Sequence, residues 1–368
     1  MKISRRQFVK AMAAMSAASM LAACGGNSGS GSSGGKKALT FQIWDVAQKE
    51  GMEAMCAAYT QQHPEVSIEV QVTSWNEYWT KLEAAATSNQ MPDIFWMHTN
   101  EILKYADNGM LADCSDIVEK DKFSEISLSN AMGSNGTLYA VPKDKDTVGL
   151  VYNKEMFDAA GVAYPDENWT WDDLVSASEK IYAATGKYGY MAYADDQLGY
   201  WNFVYQAGGY ILNEDKTKAG FTQPATERAM KFYIGLQQND WCPDQTYFAE
   251  TAPGTAFFSE KGAMFLEGDW NILAELQNYP EMVGKWDVAV LPKCPDPESG
   301  DGRATISNGL CYATAASNKN LDTVKDILKF FGNEEGQRIQ GESGAAIPAY
   351  QGCLLYTSDA ADDMQCVD

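Results

Sequence analysis

The sequence predicts an α/β protein with two lobes and a ligand cleft between them. Short segments in which apolar and polar residues alternate, as in strands, are interspersed with segments of helical periodicity. Through residues 39–97 these segments follow one another as strand, helix, strand, helix and strand with short connections, which predicts a mainly parallel sheet covered by helices. The hydrophobic content of 45% is typical of globular proteins, and the chain is long enough for two cores.

Each element is predicted from its local pattern. Strands are expected at 39–44, 66–72, 94–97, 138–141, 148–152, 286–291 and 304–313. Helices are expected at 51–62, 75–88, 171–185, 226–239, 270–278 and 321–331. Two boundaries carry a specific signal, because Pro64 ends the first helix and Thr170 is a candidate N-cap for the helix at 171–185.

Residues 1–23 have the pattern of an export signal peptide. A basic start is followed by the apolar segment 11–23, which is shorter than the roughly 20 residues of a membrane-spanning helix. Residues 4–10, with Arg5 and Arg6, match the twin-arginine export pattern. The alternative is an arginine pair that only contributes positive charge.

Leu21-Ala22-Ala23-Cys24 resembles a bacterial lipobox, in which the cysteine is lipidated and becomes the new N-terminus. The Gly/Ser-rich composition of segment 24–37 predicts a flexible tether, and two acyl chains suffice for stable anchoring. We therefore expect lipidation at Cys24 and a lipoprotein on the extracellular face of a bacterial membrane, or on its periplasmic side in a Gram-negative cell. The alternative is ordinary signal cleavage beside a chance cysteine.

The segment 353–362 matches the translation of a transposon-end adapter used in sequencing libraries. We therefore expect residues 353–368 to be foreign and the natural C-terminus to be missing, with a genuine polar tail as the alternative.

Composition excludes several classes of function. The formal charge of −22 argues against binding nucleic acid or anionic lipid headgroups. Only His63 and His98 are present, which argues against a histidine-dependent triad or a histidine-rich metal site, so no metal or cofactor is expected. Export permits a disulfide between Cys242 and Cys294, although buried free thiols are the favoured alternative.

Four stretches resemble the extracellular solute-binding proteins of sugar ABC importers, of the maltose-binding-protein type. The most specific contains Tyr152-Asn153-Lys154 after a strand. The stretches are 91–98, 141–162, 168–174 and 258–270. This resemblance implies a two-lobe periplasmic-binding-protein fold, type II-like, and a monomer that captures a carbohydrate by hinge closure and delivers it to ABC permease subunits. The lobes are expected to be 38–146 plus 304–346, and 147–303 plus a truncated 347–352, joined near 146–147, 303–305 and 345–347.

Candidate ligand-binding residues follow from the chemistry of sugars, whose flat C–H faces suit aromatic rings and whose hydroxyls suit planar polar groups. Ligands in open α/β sheets bind beyond the carboxyl ends of strands. That rule selects Trp44, Gln48, Trp96, Asn100, Asp146, Asp269 and Trp270. The resemblance supports Trp96, Asp146 and Trp270, and adds Tyr200, Trp201, Asn202 and Asn308.

Each choice has an alternative. A tryptophan in a lobe is commonly part of the core, and Asp146 could be a solvated hinge charge. The whole chain could instead be an extracellular carbohydrate-active enzyme with paired carboxylates, although no motif singles out a pair. It could also be a solute receptor of the same fold for a non-sugar ligand such as a metal, which the scarcity of histidine disfavours.

Overall fold

A computed structural model describes residues 36–213, 217–344 and 346–353. The signal peptide, Cys24, most of the tether and residues 354–368 lie outside the described residues. The strands are β1 (Lys37–Ile43), β2 (Val66–Val72), β3 (Ile94–His98), β4 (Val141–Pro142), β5 (Asp146–Asn153), β6 (Met264–Gly268), β7 (Trp286–Ala289), β8 (Ser307–Asn308) and β9 (Leu310–Ala313).

The helices alternate with these strands in the first half of the chain and cluster between β5 and β6 in the second. The α-helices are α1 (Lys49–Gln62), α2 (Trp75–Thr87), α3 (Ile102–Asp107), α4 (Glu125–Ser129), α5 (Lys154–Ala160), α6 (Trp171–Thr185), α7 (Trp201–Gln206), α8 (Pro224–Leu236), α9 (Gln245–Glu250), α10 (Pro253–Phe258), α11 (Asp269–Asn278), α12 (Leu321–Phe331) and α13 (Glu334–Glu342). Short 3₁₀ turns lie at Lys120–Lys122 and Pro280–Met282, and a π turn at Asp196–Tyr200.

The first lobe is built on a five-stranded sheet in the order β2-β1-β3-β9-β4. β1 and β3 are parallel, with Phe41 opposite Ile94, whereas β9 runs antiparallel to β3. All five residues of β3 are buried, as expected for a central strand that is covered on both faces. This arrangement places the carboxyl ends of β1 and β3 at one edge of the sheet.

The second lobe is built on an antiparallel sheet with β5 at its centre, between β6 and β7. The first residues of β5 also pair with β8, where Asp146 lies opposite Asn308. Because β5 begins where the polypeptide leaves the first lobe, its first residues lie at the junction of the lobes.

Two separate hydrophobic cores define the lobes, with Val141 and Leu310 in the first and Val148 and Leu291 in the second. The chain therefore passes between lobes at 142–147 and again at 307–310. Residues 304–308 lie with the second lobe, because β8 pairs with β5 and Ile306 packs against the second core. The predicted boundary at 304 is too early.

Residues 347–352 were predicted to belong to the second lobe, and this is wrong. Ala349 and Tyr350 are buried in the first core, and the Tyr350 ring contacts Phe123 at a centroid distance of 5.7 Å. The Lys145 N–H also donates to the carbonyl of Ile347 at 3.0 Å. This segment runs beside 143–145 on the first lobe and does not form the predicted third crossing.

The predicted cap at Thr170 is confirmed. Its side chain accepts from the backbone N–H of Asp173, whose carboxylate accepts from the Thr170 N–H in return. This capping box satisfies two backbone donors that a helix start leaves unpaired. Gly186 ends the same helix in the left-handed conformation, with a φ of 67° that favours glycine.

The cysteines of the described residues are buried free thiols, so Cys242 and Cys294 are not bridged. Cys353 is among them and packs in the first core. Within the described ranges, no helix is both long and apolar enough to cross a membrane.

Candidate functional site

The candidate site lies where the two lobes meet. The first lobe contributes the carboxyl ends of β1 and β3 together with the segment that follows β4. The second lobe contributes the start of β5, the start of α11 and the π turn before α7. These places are the strand ends at which open α/β sheets bind ligands.

A buried ion pair forms the floor of the site on the first lobe. Lys143 is fully buried and bonds to the Asp144 carboxylate, and its Nζ donates to Gln48 Oε1 at 2.9 Å. The Leu310 N–H donates to the other oxygen of Asp144 at 2.5 Å. The charges of Lys143 and Asp144 are therefore paired and hydrogen-bonded within the protein.

Two further carboxyl groups lie beside this pair and lack such partners. Asp146 is 3% exposed and its Oδ1 has no hydrogen-bond partner. The Thr147 N–H donates to Asp269 Oδ1 at 2.9 Å, but Asp269 Oδ2 is buried without a partner. Burial and the charges of Asp144 and Asp269 hold the pKa of Asp146 well above its usual range. Burial and the Asp144 charge raise the pKa of Asp269 to about 7.

Trp270 follows Asp269 at the start of α11 and is half-buried against the second core. Its ring covers the α-carbon of Gly268, where an added Cβ would lie 2.3 Å from the ring. The neighbouring Glu267 is buried and accepts from the Gly268 N–H at 2.9 Å and from Asn271 Nδ2 at 2.8 Å. Burial raises the pKa of Glu267 to about 7.

The segment before α7 is organised around Asn202. Its Nδ2 donates to the carbonyls of Gln197 and Gly199 at 2.7 and 3.1 Å, and its Oδ1 accepts from the Ile306 N–H at 2.8 Å. The fully buried Asn202 amide is thus engaged inside the second lobe, where it positions the turn.

Three other predicted residues, Tyr200, Trp201 and Asn308, lie in or beside this segment. Tyr200 and Trp201 are partly exposed, and the Tyr200 side chain packs against the second core. Asn308 is 8% exposed and its Nδ2 bonds to Gln197 Oε1. This bond ties the second crossing to the π turn.

Trp96 was predicted to stack on the ligand, and the structure corrects this. Its side chain is 0% exposed, with the Trp44 ring 5.0 Å away on centroids and Lys143 Nζ 4.6 Å from its ring centroid. Trp96 is therefore a core residue under the site. Trp44 is only partly buried and packs edge-to-face on both Trp96 and Trp75.

His98 ends β3 and accepts at Nδ1 from the Asn100 N–H at 3.1 Å, and Asn100 itself is exposed. Burial lowers the pKa of His98 to about 4, against the opposing effect of the Asp144 and Asp196 charges. The histidine is therefore neutral at pH 7.

The structure thus brings Gln48, Asp146, Asp269 and Asn308 to the junction of the lobes, with Trp270 beside them. Sequence reasoning missed Lys143, Asp144 and His98. The position of Lys143 and Asp144 between β4 and the lobe crossing could have identified them. Charged side chains in such a segment are, however, expected to be exposed to solvent. Within the described parts of the chain, no group of three or more His, Cys, Asp or Glu side chains could hold a metal ion.

Comparison with known proteins relates the chain to sugar-binding proteins. Residues 44–338 match the family described as bacterial extracellular solute-binding protein. The diacetylchitobiose binding protein DasA of Streptomyces coelicolor is 24% identical over 92% of this chain and 81% of its own. The arabinooligosaccharide-binding protein of Bacillus subtilis is 26% identical over 87% of this chain and 74% of its own.

A solved structure confirms the predicted two-lobe fold. The ABC substrate-binding protein from Listeria monocytogenes in complex with cycloalternan superposes with a TM-score of 0.77. It is 23% identical, and the match covers 89% of this chain and 85% of that protein.

Proposed function

Because this chain belongs to the bacterial extracellular solute-binding protein family, we propose that it is the capture subunit of an ABC importer. Its ligand is a sugar or an oligosaccharide, which it delivers to permease subunits in the membrane. Relatives that bind diacetylchitobiose and arabinooligosaccharide support a carbohydrate ligand. The family supports an extracellular location.

The observation that carries this proposal is the pair of unpartnered carboxyl groups beside a half-buried tryptophan. Asp146 Oδ1 and Asp269 Oδ2 are acceptors without donors, and Trp270 follows directly on the same helix. Sugar hydroxyls donate hydrogen bonds and a pyranose face packs on an aromatic ring. A ligand with both features would satisfy the two acceptors and cover the ring.

We propose hinge closure as the mechanism. The chain passes between lobes at 142–147 and 307–310, and both segments border the site. Rotation about a few residues at such crossings opens and closes a cleft without altering either core. Binding and release need no catalytic group, so we propose that the protein is not an enzyme. A sugar that raises the melting temperature and is recovered uncleaved supports binding, whereas hydrolysis supports the enzyme alternative.

A Trp270→Ala variant tests the site. Calorimetry should show sugar affinity reduced more than tenfold, because one stacking platform is lost, while the melting temperature without sugar changes little. Trp169→Ala is the matched control, since Trp169 is also a half-buried tryptophan packed on the second core but lies among Phe157 and its neighbours, where we place no ligand contact. Unchanged affinity in Trp270→Ala would show that the assignment is wrong.

We also propose that Cys24 carries the lipid anchor and that the anchored protein is a monomer. The resemblance of residues 21–24 to a lipobox and the Gly/Ser-rich composition that follows support the anchor. Cys24→Ala should move the protein from the membrane fraction to the soluble fraction, and mass spectrometry should find diacylglycerol only on the unaltered chain. Changing Arg5 and Arg6 together to lysine tests the twin-arginine route. Export should be lost in the double variant if the protein uses this route, and it should be retained if the protein uses general secretion.

A further inference from the structure

The edge of the first lobe carries a tryptophan that the site described above does not use. Trp75 is the first residue of α2 and is 43% exposed, which is unusual for so large an apolar side chain. Val46, which is 74% exposed, follows β1, and Val72, which is 37% exposed, is the last residue of β2. These three exposed apolar side chains lie at one edge of the sheet, and Trp75 is the largest of them.

The Trp75 ring is held in place by other rings. Its centroid lies 5.1 Å from that of Trp44, 5.4 Å from Trp79 and 5.6 Å from His98, all in edge-to-face geometry. The helix that carries it is fixed to β3 one turn later, where the Tyr78 hydroxyl donates to the Trp96 carbonyl at 2.6 Å. An aromatic ring fixed before binding loses little conformational entropy when a ligand packs on it.

Trp75 also borders the junction of the lobes. Its ring neighbours Trp44 and His98 lie at the carboxyl ends of β1 and β3, which the first lobe contributes to the site. The exposed Asn100 amide follows His98 directly, and it offers donors and an acceptor beside the apolar ring. An exposed aromatic ring next to a planar polar group, continuous with a sugar site, has the chemistry of a further sugar subsite.

We propose that Trp75 is the stacking platform of an outer subsite, which binds a second sugar ring of the same ligand beyond the ring held near Asp146 and Trp270. This inference rests on the proposed function and makes it more specific, because a ligand that reaches both places has at least two rings. Trp75 is a binding residue in this scheme, and Trp44 and Tyr78 position it.

The experiment compares affinities across chain length. Wild type and Trp75→Ala are titrated by calorimetry with the one- to four-ring members of the cello-, malto-, xylo- and galacto-oligosaccharide series. In the series that binds most tightly, wild-type affinity should rise on lengthening. Trp75→Ala should lose about five- to thirtyfold on the members with two or more rings, and less than twofold on the single sugar.

Three further variants keep the outcome clear. Trp75→Tyr retains a ring and should bind longer sugars within about threefold of wild type. Trp75→Leu keeps apolar bulk without a ring, should show the same loss as Trp75→Ala, and replaces the alanine variant if that variant does not fold. Phe221→Ala removes an exposed aromatic side chain, 51% accessible, from the second lobe and should bind all lengths as wild type does.

The possible failures are distinct. Equal affinity of wild type and Trp75→Ala for every length refutes the outer subsite and leaves the proposed function standing, and it favours a protein partner for the exposed apolar side chains at this edge of the sheet. An equal loss for one ring and for several also refutes it, since Trp75 then supports the inner site. Binding of no sugar by wild type contradicts both proposals.

Discussion

Replacing Asp269 by asparagine tests whether a buried charge destabilises the folded site. The Thr147 N–H donates to Asp269 Oδ1, an acceptor that the amide keeps, whereas the buried Oδ2 has no partner to lose. Burial, with the charge of Asp144, raises the pKa of Asp269 from 3.8 to about 7. The variant therefore removes the charge and retains the one hydrogen bond that the carboxylate makes to the backbone of β5.

The direction of the effect follows from the raised pKa. The folded state holds the proton up to about pH 7, while the unfolded state releases it near pH 3.8. The stability contributed by the proton is complete below the unfolded value and is lost as the pH rises through 7. At about 1.4 kcal/mol per pH unit the loss is at most about 4 kcal/mol. The charge of Asp269 also raises the pKa of Asp146, so the two carboxyl groups titrate together and we expect about half of that loss from Asp269, on the order of 2 kcal/mol.

Urea unfolding at pH 4, 5.5, 7 and 8.5 measures the difference. The free energies of unfolding should be equal at pH 4, and Asp269→Asn should be the more stable by about 2 kcal/mol at pH 8.5. Asp113→Asn is the control, because Asp113 is exposed and likewise accepts one backbone N–H, that of Ser115. A difference that is constant with pH, or a variant that is less stable at pH 8.5, would refute the reasoning.

Three other substitutions test the supports of the site through the free energy of unfolding. Lys143→Met leaves the Asp144 carboxylate buried without its cation and should cost about 3–5 kcal/mol, most of which Asp144→Asn in the same chain restores. Asn202→Ala leaves the Ile306 N–H without its acceptor and should cost about 2–3 kcal/mol, with no recovery on adding sugar. Thr170→Ala removes half of a capping box and should cost about 1 kcal/mol, which Thr170→Ser largely avoids.

The elements with strong local signals were predicted well. The strand at 66–72 and the helices at 171–185 and 321–331 were predicted with the observed bounds. The strand predicted at 304–313 is interrupted at Gly309, where an added Cβ would lie 2.7 Å from the Asp144 carbonyl. That contact joins segments far apart in the chain, so no local pattern contains it.

The tryptophans show which part of the site could not be predicted from the sequence. The rule that ligands bind beyond strand ends selected both, because Trp96 was placed at the end of the third predicted strand and Trp270 at a helix start. Trp96 lies on a strand covered on both faces, with Trp44 against it, whereas Trp270 begins a helix and keeps part of its ring accessible. Sequence spacing locates the end of a strand, but tertiary packing decides whether the side chain there is covered.

The charged groups on the two lobes of the site differ in whether they have partners within the protein, and this difference affects the closure of the cleft. On the first lobe, Lys143 and Asp144 neutralise each other. On the second, Asp146 and Asp269 bury acceptor oxygens without donors. A buried unpaired polar atom costs about 1–3 kcal/mol, so without a ligand these carboxyl groups favour an open cleft that readmits water. Sugar hydroxyls would remove that cost. Asp269→Asn removes the negative charge, whose burial opposes closure more strongly than burial of a neutral amide does, and it should therefore shift the ligand-free protein toward the compact form in small-angle scattering at pH 8.5. A radius of gyration identical to that of wild type would contradict this coupling.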